Sequence, residues 1–146
     1  MQLDKHQNEK RNSLETRIKK ERHNIMEKFV EEFHLFLVNC KETVAKQVEE
    51  LVSDDRADEA RPLRAKANIY AVFGTLFDVA YKQSQGDCQV CREKFLKQAE
   101  NIPANWKKSL EEAKAHEDME KVLIEEAKLS AVTEIVEHFE MMYKSV

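Results

Sequence analysis

Cys88-Gln89-Val90-Cys91 is the residue set with the clearest capacity for chemistry in this 146-residue chain. Two thiols separated by two residues can close a disulfide or supply half of a tetrahedral zinc site. At the start of a helix, the dipole and the free backbone N–H groups favour a thiolate. The same spacing also puts Cys88 and Cys91 on one helical stripe with Phe95, where an unreactive cysteine behaves as a small buried hydrophobe. No second Cys-x-x-Cys or tight His pair completes a structural zinc set. The chain continues Arg92-Glu93-Lys94-Phe95, with no histidine directly downstream. Three readings stay open: core thiols, a redox pair, or zinc held by Cys88 and Cys91 with His116 or His138 added. Three cysteines is an odd count in a chain that is not a small disulfide-dense scaffold, so thiols rather than structural bridges are expected.

Glutamate and histidine offer weaker sets. A di-iron bundle needs two Glu-x-x-His motifs; Glu31-Glu32-Phe33-His34 is present without a second copy. His23, Glu27, Glu31 and His34 share a stripe that lies away from the apolar one and faces water. Glu117 and Glu120 fall where an apolar stripe should continue, and solvation at a bend or beyond a helix end explains them. Two glycines cannot build a phosphate-binding loop. The acidic run Asp54–Glu59 lacks the glycine turn and ligand spacing of a calcium loop. No catalytic residue is assigned, and the pattern points away from an enzyme.

The elements that must position these residues are helices. Two glycines and two prolines punctuate the chain, and Pro62, Gly86 and Pro103 fall between helix-patterned stretches. The first segment, Asp4–Val52, carries an apolar stripe through Ile25, Phe29, Phe33, Phe36, Cys40, Val44, Val48 and Leu51, widened by Met26, Val30 and Leu37. Before Ile25 the pattern thins to Leu14 and Ile18. Residues 1–24 therefore read as a polar, partly basic helical extension and 25–146 as the bundle. Ser53–Asp58 reads as a connection with N-cap residues. The second segment, Asp58–Gln85, is apolar over more than half its girth and is expected at the centre. The third, Cys88–Asn101, is short. The fourth keeps phase from Trp106 to Met142, predicting a helix from Pro103 to Lys144, with a break near His116–Asp118 as the alternative. The fold class is all-α: an up-and-down three- or four-helix bundle with long first and last helices and one short helix.

The net charge of −4 is unevenly laid out. Residues 4–24 carry seven Lys/Arg against four Asp/Glu; residues 25–61, five against ten; 62–109, eight against four; 110–146, four against ten. Acids interleave the basic start, and no basic block marks a nucleic-acid arm, so nucleic acid is not expected as a partner. No apolar run reaches the roughly 18 residues of a membrane span. The first ten residues lack a signal-peptide core, and the cytoplasm is the expected compartment.

Surplus apolar surface is the remaining signal. Leu35 and Val38 lie opposite the first helix's main stripe, and a second face through Val122, Leu129 and Val136 appears on the fourth segment. With Leu14 and Ile18 they form an expected interface. The leading expectation is a non-enzymatic, self-associating bundle, a two-fold dimer or a binder of another protein, with no cofactor. The alternatives are a zinc or thiol protein and a small-ligand bundle with an apolar pocket lined by Phe73, Phe95 and Trp106.

Overall fold

The computed structural model describes residues 2–146, with side chains from residue 4 onward. Five helices are present among them and no strand: α1 Gln2–Ser53, α2 Ala57–Ser84, α3 Cys88–Asn101, α4 Ala104–Ala115 and α5 Met119–Tyr143. The chain is an all-α bundle with long first and last helices. The helices group into legs. α3 and α4 run on from one another through Ile102 and Pro103, both in right-handed helical conformation. Proline has no N–H to give, so the helical ladder is interrupted there without reversing. Residues 88–115 therefore make one kinked leg.

Three connections of the same length join the legs: 54–56, 85–87 and 116–118. Each turns through a left-handed residue: Asp55 (φ 57°), Gln85 and Gly86 (φ 51° and 87°), and Glu117 (φ 57°). At the first and third, the N–H of the last connecting residue reaches back five residues: Arg56 to Leu51 at 2.8 Å and Asp118 to Ala113 at 2.9 Å. That bond satisfies a carbonyl orphaned at the helix end. Aspartate then caps the next helix. Asp87 accepts from the N–H groups of Gln89 and Val90 (3.0 and 3.2 Å), and Asp118 accepts from that of Lys121 (3.2 Å). At the first connection Ser53 closes α1, and Arg56, with no side-chain cap bond, precedes α2. The expected Ser/Asp cap is thus replaced by an ion pair between Arg56 and Glu59.

Cross-leg pairs give the direction of each leg. Leu37 faces Gly74 and Phe33 faces Phe77, so α1 and α2 are antiparallel. Phe29 meets Tyr143 while Cys40 meets Glu134, so α1 and α5 are antiparallel as well. Arg61 pairs with Glu120 and Phe77 with Phe139, so α2 and α5 run parallel. The topology is up-down-up-down, and α2 touches α1, α3 and α5, as its broad apolar arc requires.

Three sequence expectations are corrected. The fourth segment does not run unbroken from Pro103: its first half, α4, belongs to the third leg and folds antiparallel along the start of α5. The stripe stayed in phase across 116–118 although the chain reverses there, so periodicity could not reveal the turn. The third leg, α3 followed by α4, consequently spans 28 residues, as α2 does. Ile25 leaves the core stripe and is exposed, while Met26 is buried in its place. Glu117 occupies the left-handed turn and Glu120 reaches Arg61, both on the surface, which accounts for carboxylates on an apparently apolar stripe.

All seven phenylalanines meet in one cluster. Phe33 lies at its centre, wholly buried, with ring centroids of Phe77 at 4.8 Å, Phe139 at 5.4 Å and Phe95 at 5.6 Å. Edge-to-face pairs of this kind add about 0.5–1.5 kcal/mol each beyond their buried area. Removing the ring leaves a void ringed by other aromatic side chains that cannot all move in. Phe33→Ala should cost about 3–5 kcal/mol in urea unfolding. Leu35→Ala, two residues away and 59% exposed, should stay within about 0.5 kcal/mol.

Candidate functional site

The four legs are not evenly spaced. α1 packs chiefly on α2 and less closely on α5, leaving a groove along part of the α1–α5 boundary. Two adjoining depressions of about 650 and 270 Å³ share Phe36 and Glu134. α1 supplies Phe36, Asn39, Cys40 and Thr43; α5 supplies Thr133, Glu134, Glu137, His138 and Met141; Lys66 and Tyr70 of α2 reach the floor.

A small polar network sits on that floor. The buried Tyr70 hydroxyl donates to Glu134 Oε2 at 2.6 Å, the Cys40 thiol donates to Glu134 Oε1 at 3.4 Å, and Lys66 Nζ lies 3.9 Å from Oε2. One carboxylate therefore satisfies donors from two other helices and is balanced by a cation from one of them. Burial and the nearby Glu134 charge push the Cys40 thiol up to about 12, and the same two causes raise the Tyr70 phenol. Neither group ionises near neutrality, so the network holds helices in register and supplies no nucleophile. Above it, His138 stacks face to face on Phe36, with centroids 3.6 Å apart and planes within 4°. Burial lowers the His138 pKa, with Glu134 opposing.

Glu134 and Lys66 escaped the sequence reading, in which Cys40 counted as an apolar position. A signal existed: a tyrosine in the arc of a central helix needs a partner for its hydroxyl, and the facing helix offers Glu134. Glu125 was also missed. It is buried on α5 with Lys128 Nζ at 3.4 Å, and that ammonium lies 4.3 Å from the Trp106 ring centre.

The expected thiol site takes another form. Cys91 is 1% exposed, its thiol raised to about 11 by burial and by Cys88 beside it. The half-buried Cys88 is raised by burial and by Asp87, and its thiol lies 3.4 Å from Met26 Sδ. Burial explains why a helix start fails to acidify them, and at Cys88 the negative charge of the capping Asp87 adds to it. Both remain thiols. His116 follows the far end of the same leg, beyond both α3 and α4 from Cys88, so the two cannot share a metal. His138 faces α1 instead. Among the described residues no group of three or more His, Cys, Asp or Glu is arranged to hold a metal ion.

The other expected residues also have clear places. Phe73 and Phe95 are wholly buried against one another, centroids 6.2 Å apart, and Trp106 packs at the edge of the same core under Lys128. They fill space rather than line it. Leu14, Ile18, Leu35 and Val38 are exposed, Leu129 and Val136 are half-buried, and Val122 is only 5% exposed. Val122 is covered because α4 turns back along α5, a consequence of the break at 116–118. No helix is long and apolar enough to cross a membrane among the described residues. No protein-family model, curated protein or solved structure matches the chain.

Two measurements follow. In the folded protein at pH 8, a thiol-specific dye should leave Cys91 unlabelled over the time in which free cysteine reacts fully; denaturant should release all three thiols. Fast labelling of Cys91 would contradict its burial. Second, unfolding exposes His138 and restores its pKa to the ordinary 6.5. The unfolded chain therefore binds this proton at higher pH than the folded one, and its contribution to stability is present above pH 6.5 and lost as pH falls below it. The drop in melting temperature between about pH 7.5 and 5.5 should be smaller in His138→Phe than in the parent.

Proposed function

We propose that this chain is a self-associating helical bundle rather than an enzyme, with the first half of α1 as its associating element. The observation that carries this reading is the mismatch of leg lengths. α2 and the α3–α4 leg each span 28 residues, as does α1 from Met26 to Ser53, where its core contacts lie. Residues 4–25 exceed that frame, and every one of their side chains is exposed. The surplus is an arm about 33 Å long at 1.5 Å per residue. It carries Leu14, Ile18 and Ile25 along one side, spaced as in a helix–helix seam. Charge favours a like partner: residues 4–24 hold seven cations against four acids, net +3, and residues 25–146 hold 17 against 24, net −7. A basic arm and an acidic body on the same chain attract between copies.

Sedimentation of the full chain at tens of micromolar should give twice its 17.1 kDa. Combining Leu14→Ala, Ile18→Ala and Ile25→Ala keeps helix-forming residues in the arm while removing the apolar line. It should weaken association by about a hundredfold with no loss of thermal stability in the single chain. A full-length chain that sediments at one-chain mass up to 100 µM overturns the proposal.

A further inference from the structure

We infer that the groove between α1 and α5 receives the arm of a second copy, lying antiparallel to α1, so that each chain places its arm in the other's groove; this rests on the self-association reading above. Three features of the molecule lead there. The first is angular. Leu14, Ile18 and Ile25 fall within about 40° of Phe36 and Thr43 around the α1 axis. That side of α1 turns towards α5, since Phe36 stacks on His138 and Cys40 meets Glu134. The α2 side is a different one, marked by the His34–Asp78 pair at 2.5 Å. The arm's apolar line and the groove thus share one side of one continuous helix. A two-fold axis across that side makes each half of α1 the partner of the other's opposite half, the self-complementary arrangement of a closed dimer.

The second feature is length. The arm's apolar line, Leu14 to Ile25, and the stretch of α1 that lines the groove, Phe36 to Gln47, each span 12 residues, about 18 Å. Matching the centre of the arm's apolar line, near residue 19, to the centre of the groove on α1, near residue 41, puts the axis close to residue 30. Position 18 of one chain then lies beside position 43 of the other. The third is charge. Residues 4–24 carry a net +3, and α5, which forms the other wall of the groove, bears six Glu against two Lys. Met141, exposed at the groove's end, and the Phe36–His138 stack give the apolar line something to cover.

The test uses the full chain with Cys40→Ser and Cys88→Ser, leaving the buried Cys91. One preparation adds Ile18→Cys and a second adds Thr43→Cys. Mixed and oxidised, they should yield mostly a disulfide joining position 18 of one chain to position 43 of the other, read by peptide mass, and little linkage in either preparation alone. In the otherwise unaltered chain, Glu137→Arg should raise the dimer dissociation constant at least tenfold, while Val79→Arg, an exposed position on α2 outside the groove, should change it less than twofold. A dimer that instead links 18 to 18, or that weakens equally with Val79→Arg, overturns the groove assignment while leaving self-association standing. One-chain mass throughout, with no linkage, overturns both.

Discussion

The packing of Phe33 against Phe77, Phe95 and Phe139 is the interaction on which the rest depends, because those four rings come from α1, α2, α3 and α5. A single side chain on α1 therefore fixes the level at which three other helices meet it. Once that level is set, the pairs on either side follow at helical intervals: Met26 beside Cys88 towards one end, then Cys40 and Tyr70 on Glu134 towards the other. Close packing transmits the register because interiors at crystal-like density leave little room to slide. The polar network serves the same end by a different route. A carboxylate shared by a phenol and a thiol from two neighbouring helices tolerates only small axial displacement before a donor is stranded.

Much of this was legible in the sequence, for identifiable reasons. Breaker scarcity and three-four spacing disclosed helices, and the broad apolar arc of Asp58–Gln85 disclosed which helix lies innermost. Gly86-Asp87 disclosed a turn because both residues have specific backbone roles there. The turn at 116–118 stood only as the alternative reading because its left-handed residue is a glutamate, which carries no turn signal. The apolar stripe also happened to resume in phase after a reversal. Ile25 misled for a related reason: apolar character shows that a residue can be buried, and only the partner helix's position shows that it is.

The candidate site was less legible, since it depends on juxtaposition. Tyr70 and Glu134 are 64 residues apart and Cys40 and Glu134 are 94 apart, so no local spacing could pair them. The Cys-x-x-Cys segment shows the converse. Its local pattern was conspicuous, yet Asp87 and the surrounding core govern its ionisation, and these turn a pattern associated with reactive thiols into a packed helix start. Chemistry follows from desolvation and neighbouring charge, and spacing alone specifies neither.

Because α1 is one unbroken helix from its exposed start to its buried end, the bundle itself supplies the costly first turns from which the arm's backbone ladder grows. A free segment of this length must nucleate its own helix, against odds of the order of a thousand to one per start. Here each additional residue needs only to propagate an existing ladder. The outer turns can melt and re-form on the nanosecond-to-microsecond scale without disturbing the aromatic centre. Whatever surface meets them encounters a pre-ordered rod whose direction is set by the folded body.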